Sequence, residues 1–573
     1  MDTTKYLKKA KNLEKPELVL KNTKLINVYT HTIEDVDIAI EDGIIIGVGK
    51  YDGKREHDLS GFYVAPGFID GHVHIESSML TPPGFAKIVV PHGTTTVIAD
   101  PHEIANVSGS LGVDFMLETS ENIPLNVYMM IPSCVPATQE EHSGSVLTAK
   151  QIESYRNHPR VIGLGEVMDY PAVIRGNQDI HHKIRTMQGK IIDGHAPDIL
   201  GYDLTSYILS GIMTDHECTM VESMIERIKQ GMYVHLREGS ATRNTKTLLK
   251  GLKKAYIPRT LFCTDDKHPE DIKQEGHINY NVNLAIASGM DPIDAISMAT
   301  LNAATCYRLP HLGAIAPGKQ ADMIVFESLE SINPVKVYHK GQLVAENQKP
   351  LFECQSKTYE AVLNTVNFNL DDLSFDISIK SNPVYVIGLI ENNITTSKII
   401  KSVSVEKGCF KYNPKEDVLK LAVIERHHMR KTIGLGLVQG FGIKHGAIAM
   451  TISHDSHNLI IVGTSDHDMR VAAAMIKEIQ GGIVLVEHGV VTDHLQLEIG
   501  GIMTNKNESI VQESLSRMKE KIKRMGLSAK VHDPFISLAF LALPVIPKLK
   551  LTDRGLFDVE QFKIIPIEIE DKR

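Results

Sequence analysis

The sequence predicts an α/β protein built on a (β/α)₈ barrel, with a small composite β domain from both flanks of the barrel and a C-terminal α/β domain. Three observations predict it. Eight short apolar runs, each ending in polar residues, lie between residues 64 and 266, and helix-sized segments separate most of them. Runs this unbroken suit strands buried on both faces, as in parallel sheets, and eight of them over about 200 residues is the size of a TIM-type barrel. Strand-like segments stand on either side of this region, and past residue 355 the pattern changes again.

Residues 1–66 supply the first part of the small β domain. The opening 17 residues are polar and Lys-rich with no apolar core of the signal-peptide kind. ELVLKNTKLINVYT and DVDIAIEDGIIIGVG then read as strands punctuated by Gly and Asp. The barrel is assigned to residues 67–308. Its strands are 64–71, 94–100, 126–133, 161–167, 191–195, 211–216, 232–238 and 259–266. A helix follows the eighth strand, with Asp291 as N-cap, Pro292 in the first turn and Asp294 favourably near the positive end. Residues 309–354 return to strands in GAIAPGKQADMIVF and VKVYHKGQLVAE, which should pair with those before residue 66.

Residues 355–573 form the C-terminal domain. VYVIGLI, LKLAVIER, GAIAMTIS, NLIIVGTS and GIVLVEHG are its expected strands. Helices are expected from Asp466 to Gln480, stopped by Gly481 and Gly482, and from Ser509 to Met525, stopped by Gly526. The apolar stretch Phe535 to Leu549 carries Pro544 and Pro547. A membrane span needs about 20 apolar residues, so this stretch reads as buried core.

A chain of 573 residues is too long for one core. Its formal charge of −9 argues against a nucleic-acid partner, which would require a basic face. The six cysteines are scattered with no C-x-x-C pair, which fits a reducing compartment and a cytoplasmic location.

Polar residues able to hold metal gather at the C-terminal ends of the predicted strands, where barrel enzymes build their sites. GFIDGHVH places His72 and His74 two residues apart, so in an extended chain both imidazoles face one side. GLGEV supplies Glu166, IIDGHAP His195, MTDHE His216 and FCTDD Asp265. Each alone has an ordinary structural explanation, such as a helix cap for Asp265 or an ion pair for Glu166. Six of them on strands one, four, five, six and eight, all at the same end, do not arise by chance. Arg237 and Glu238 follow strand seven toward that mouth, and His102 lies in ADPHE after strand two. In the C-terminal domain, His454, Asp455, His457, Asp466, His467 and Asp468 make a second polar cluster. Its SHDSHN loop is expected to lie over the barrel mouth and exclude water; a third metal site there is the alternative.

With APGFIDGHVH, single histidines at strands five and six, Asp at strand eight and the closing GAIAPGKQAD, residues 18–350 resemble the amidohydrolase superfamily. The resemblance implies a metal-activated hydroxide attacking an sp² carbon. Where many binuclear members carry a carboxylated lysine on strand four, this chain has Glu166. Mononuclear deaminases of the superfamily often carry Glu three residues after the strand-five His, and here that position is Asp198. The implied set is His72, His74 and Asp265 on one ion, His195 and His216 on the other, with Glu166 shared. Such ions would lie about 3.5–4 Å apart. Manganese is the expected metal, with iron and zinc also compatible with mixed imidazole and carboxylate ligands.

A narrower set of motifs is similar to the bacterial adenine deaminases: GTTTVIADPHEIANV, VPATQ, GLGEVMDYP, HLREGS, FCTDDKHP and QGFGIKHGAIAMTISHDSHNLIIVGTSDHDM. That resemblance implies adenine as small-molecule substrate, Asp265 as proton acceptor and donor, His102 and Glu166 in catalysis, and Arg237 and Glu238 in purine recognition. It implies purine salvage, and a homo-oligomer, a dimer, is expected. Two other readings remain open: a cyclic amidase of the dihydroorotase or hydantoinase type, and a non-catalytic scaffold, although the latter would be expected to have lost ligands.

Overall fold

The computed structural model describes residues 4–197, 199–354, 359–391 and 393–569. Asp198 lies outside them. The architecture is mixed α/β, in three regions that follow the chain.

Strands Leu18–Asn27, Thr32–Glu41, Ile44–Gly49, Arg55–Asp58 and Tyr63–Pro66 join Met323–Phe326, Lys336–His339, Gln342–Glu346 and Lys349–Pro350 in one nine-stranded sheet. The seam is antiparallel, Tyr63–Pro66 against Met323–Phe326. One face packs around Leu20, Ile38, Val64 and Met323, all buried. The two flanks thus meet in one sheet, as alternation of apolar and turn residues predicts.

The eight expected parallel strands are all present, but in two sheets. Phe68–Val73, Thr94–Ala99, Asn126–Ile131, Val161–Val167 and Ile191–Gly194 pair in sequence order, and Thr214–Asp215, Tyr233–Arg237 and Thr260–Cys263 form a second set. The sixth strand pairs over two residues only, shorter than its apolar run. Hydrogen bonds nonetheless cross both gaps. Met213 N donates to Ile192 O (2.9 Å) between strands five and six, and Asp265 N donates to His72 O (2.9 Å) between eight and one. Strand interiors are buried without alternation, Phe68–Val73 and Thr94–Ala99 throughout, as strands covered by helices outside and side chains inside must be. Asp291 caps its helix as expected, accepting from Ile293 N (2.8 Å) and Asp294 N (3.3 Å).

The C-terminal region holds an eight-stranded sheet, in spatial order Thr396–Lys401, Val384–Leu389, Ile433–Gln439, Val418–Ile424, Leu459–Gly463, Ala447–Met450, Gly482–Glu487 and Val490–Gln496. Helix Asp466–Ile479 ends with Gln480 in the left-handed region (φ 59°), one residue short of the expected glycine stop. Helix Glu508–Met525 ends at Gly526 (φ 106°) and lies against helix Pro269–Glu275, with Gln512 Nε2 donating to Pro269 O (3.2 Å). The segment Phe535–Leu549 is a short helix and a partly buried loop, and Phe540, Leu543 and Ile546 line one cavity with His74, Glu166 and Asp265. Among the described residues no helix is long and apolar enough to cross a membrane.

Candidate metal centre and active site

The ends of strands one, four, five, six and eight bring all six predicted ligands into one buried cluster. His72 and His74 project to the same side of the first strand, and their Nε2 atoms stand 3.2 Å apart. His74 Nδ1 donates to Asp100 O (2.9 Å), so its Nε2 carries the lone pair. Asp265 Oδ1 lies 3.5 Å from His72 Nε2 and 3.0 Å from His74 Nε2. Asp265 itself is in the left-handed region, φ 60°, an unfavourable conformation for a non-glycine residue that surrounding structure must hold.

Glu166 divides the cluster. Its Oε1 is 3.2 Å from His74 Nε2 and 3.7 Å from His72 Nε2. Its Oε2 is 2.6 Å from His195 Nδ1 and 3.3 Å from His216 Nε2. Burial pushes the Glu166 carboxyl up, but the His195 charge and the imidazoles of His102, His195 and His216 outweigh it and hold it well below the ordinary range. Asp265 is likewise kept ionised against its burial, chiefly by Arg237. Both carboxylates are therefore in the form a metal requires.

The donors fit divalent cations. His72 Nε2 and His74 Nε2 stand 3.2 Å apart, and Oδ1 of Asp265 and Oε1 of Glu166 face both, a mixed imidazole and carboxylate set of the kind divalent cations take. The Nε2 atoms of His195 and His216 are buried with no hydrogen-bond partner, a costly state that ligation or a bound molecule removes. Among the described residues, His72, His74 and Glu166 form one group whose donor atoms lie within 4.8 Å of one another, and Glu166, His195 and His216 form another.

Arg237 lines the cavity beside the cluster, and Glu238 is not among its lining residues. Arg237 Nη1 donates to Asp265 Oδ2 (2.6 Å) and to Glu217 Oε1, and Nη2 donates to Glu217 Oε2 (2.9 Å). Glu238, one residue further along an extended strand, turns the other way, and its Oε2 accepts from Thr245 N (3.3 Å). Glu217 takes its place on the cavity wall. It follows His216 directly in TDHE, and that adjacency was the only signal for it in the sequence.

His102 sits at the start of helix His102–Ser108. Its Nδ1 is 3.3 Å from Glu166 Oε1 and 3.8 Å from Asp100 Oδ1, and its Nε2 is 3.5 Å from Glu103 Oε1 and 3.8 Å from Asp455 Oδ1. His454 and Asp455 come from the SHDSHN loop between strands Ala447–Met450 and Leu459–Gly463, and they line the same cavity as His74, His102, Glu166 and Arg237. Asp466, His467 and Asp468 lie elsewhere, on the helix Asp466–Ile479. Asp466 pairs with Lys420 (2.5 Å), and Asp468 sits in the first turn of its helix, its N–H bonded to Ser465 Oγ (3.1 Å).

Two family models match the chain: the amidohydrolase family over residues 63–344 and the adenine deaminase C-terminal domain over residues 393–563. The chain is 49% identical to adenine deaminase 2 of Carboxydothermus hydrogenoformans over 554 residues, covering 96% of this chain and 97% of the relative. It is 44% identical to the adenine deaminase of Geobacillus kaustophilus, covering 97% of each. With the adenine deaminase of Clostridium acetobutylicum it shares 44% identity, over 98% of this chain and 99% of the relative.

Proposed function

The chain belongs to the adenine deaminase family of metal-dependent amidohydrolases, and from that membership we infer that it hydrolyses adenine to hypoxanthine and ammonia. The cofactor is divalent metal. We propose two ions per chain, manganese rather than iron or zinc, with His72, His74 and Asp265 holding one, His195 and His216 the other, and Glu166 bridging. The observation that carries this is the division of Glu166, whose two oxygens each face a separate ligand set.

Ions in that position would lower the pKa of water toward neutrality and polarise the substrate. The remaining work falls to side chains. Carbon 6 of adenine is amidine-like, so replacing its amine by water moves both protons of the water: the first, lost on attack, is matched by one reaching a ring nitrogen, and the second, lost from the new C6 hydroxyl, is matched by one reaching the departing amine, which leaves as ammonia. Asp265, with Oδ1 at the ligand cluster and Oδ2 on Arg237, is suited to accept the first and pass it on. His102, beside Glu166, orients the attacking water. Arg237 fixes Asp265 and, with Glu217, offers the purine ring a donor and acceptor pair. Phe540, Leu543 and Ile546 close the apolar side and limit water.

In this reading residues 67–308 close as a (β/α)₈ barrel, supported by the hydrogen bonds that cross both gaps between the parallel sheets. Residues 1–66 and 309–354 make the small β domain and residues 355–573 the third. Free cysteines throughout support a cytoplasmic enzyme of purine salvage. Tyr202 and Leu209, on one helix and largely exposed, support a homodimer.

The test is an adenine assay on metal-stripped protein, with manganese, iron and zinc restored separately. Recovery at two equivalents of metal, greatest with manganese, is expected. Loss of no adenine under any metal, with dihydroorotate or hydantoin turned over instead, would overturn the reading.

A further inference from the structure

Outside the proposed metal pair, a group of buried ionisable side chains spans the boundary between the barrel and the C-terminal sheet. Glu103 lies on the barrel side, next to His102. His454 Nδ1 stands 2.7 Å from Glu103 Oε1, an ion-pair contact, and His457 Nε2 donates to Glu103 Oε2. All three are buried. The loop carrying the histidines is itself clamped. Arg426, fully buried, donates from Nε to His457 O (2.5 Å) and from Nη2 to Gly500 O (2.8 Å), while Asn458 Nδ2 donates across the boundary to His142 O (2.7 Å).

Glu103, His454 and His457 could in composition hold a metal ion. The hydrogen bonding argues otherwise. Ser453 N donates to His457 Nδ1 (3.2 Å), so that nitrogen carries the lone pair and Nε2 carries the proton. A protonated Nε2 donates to Glu103 and cannot ligate. The three groups form a hydrogen-bonded latch.

We infer that His454 and His457 are positioning residues for the deamination: they hold the Glu103 carboxylate against Nε2 of His102, so the C-terminal sheet sets the orientation of the group that directs the attacking water. This rests on His102 acting in the site as proposed. The logic is that of a base oriented by a third group, with the third group here fixed from another part of the chain. Asp455, between the two histidines, faces the same cavity, with Oδ1 3.8 Å from His102 Nε2 and Oδ2 unpartnered. Burial pushes Glu103 up, but His454, His457 and His102 packed against it outweigh that and keep the carboxyl well below its usual range. Burial holds His457 below its usual value, consistent with a neutral donor.

The test compares His454→Phe, His457→Leu, His457→Gln and His102→Asn in the full-length metal-loaded enzyme, reading kcat and KM for adenine, metal per chain and Tm. Loss of the latch should lower kcat about tenfold or more, the scale of losing a supporting hydrogen bond, with KM and metal content unchanged. His457→Gln, whose amide can still donate to Glu103, should recover most of the loss. Combining His457→Leu with His102→Asn should cost no more than His102→Asn alone. Turnover within twofold of the parent in His457→Leu, or losses that multiply in the double variant, would overturn the latch. So would a third ion per chain that His457→Leu removes. If His457→Leu does not fold, His457→Gln against His457→Asn decides, since the shorter amide cannot reach Glu103; equal kcat in those two refutes the latch. Full activity in His102→Asn would instead refute the role of His102 and leave the deaminase reading standing.

Discussion

Asp100 occupies the space a side chain at residue 165 would need. A Cβ built on Gly165 would lie 2.2 Å from Asp100 Oδ2, the oxygen that accepts from Glu166 N at 2.9 Å. The carbonyl of the same aspartate fixes His74 through Nδ1. One buried residue thus aligns ligands on strands one and four, and only glycine before Glu166 permits it.

Gly165→Ala should therefore injure the metal centre more than the fold. Overpacking of this kind costs about 1–3 kcal/mol, but displacing Asp100 disturbs two ligands at once. Metal affinity should fall about 10–100-fold, the range for lost supporting contacts. Competition with a chelator measures it; unchanged affinity in a folded variant would show that Asp100 has room to move.

Glu166→Gln should keep the shape of the site and lose its second ion. An amide offers one weak acceptor where the carboxylate offers two charged oxygens, and its nitrogen would face either His74 or the His195–His216 pair. Elemental analysis should find about one ion per chain in place of two, with adenine turnover down about 100-fold or more. Two ions retained in the variant would assign the bridge to another group.

Much of this site was legible because its signals are local. His72 and His74 are two apart on one strand, and Glu166, His195, His216 and Asp265 each end an apolar run. Whether a neighbour of such a residue also enters the cavity depends on strand twist and on the path of the loop beyond the strand. So Glu238 was expected and Glu217 was found. The latch was not legible at all: Glu103 and His457 are 354 residues apart, and nothing in either segment names the other. Strand Ile433–Gln439 escaped for a different reason. Two of its residues are glycines, Gly434 and Gly436, which weakens its strand signal, and Gly434 is required because a Cβ there would lie 1.9 Å from Thr552 O. Close packing of another strand erased the pattern by which strands are recognised.

Arg237→Met should destabilise the protein and Glu217→Gln should partly repair it. Arg237 is buried between Glu217 and Asp265, and its charge is what keeps both acids ionised despite burial. Removing one member of a buried pair costs about 3–5 kcal/mol because the partner's charge is left alone. Chemical denaturation should show that loss in Arg237→Met, with the double variant more stable than the single. Strict additivity of the two substitutions would mean that the pair does not interact energetically.

Alkaline pH should loosen the contact between the SHDSHN loop and helix His102–Ser108 through His454. Burial alone would lower its pKa, but Glu103, with smaller contributions from Asp266 and Asp455, raises it to about 9, from an ordinary value of 6.5. A histidine whose folded pKa is raised contributes its full stabilisation below 6.5 and loses it as pH rises through about 9. The wild-type Tm should accordingly fall between pH 7 and pH 10 by more than that of His454→Phe, which keeps an aromatic ring to stack on Phe540, as His454 does at 4.4 Å between centroids. Because a phenyl ring has no proton to lose, the difference between the two melting curves isolates the latch from the other groups that titrate in that range. Parallel Tm profiles would place the alkaline loss elsewhere and leave His454 uncharged in the folded protein.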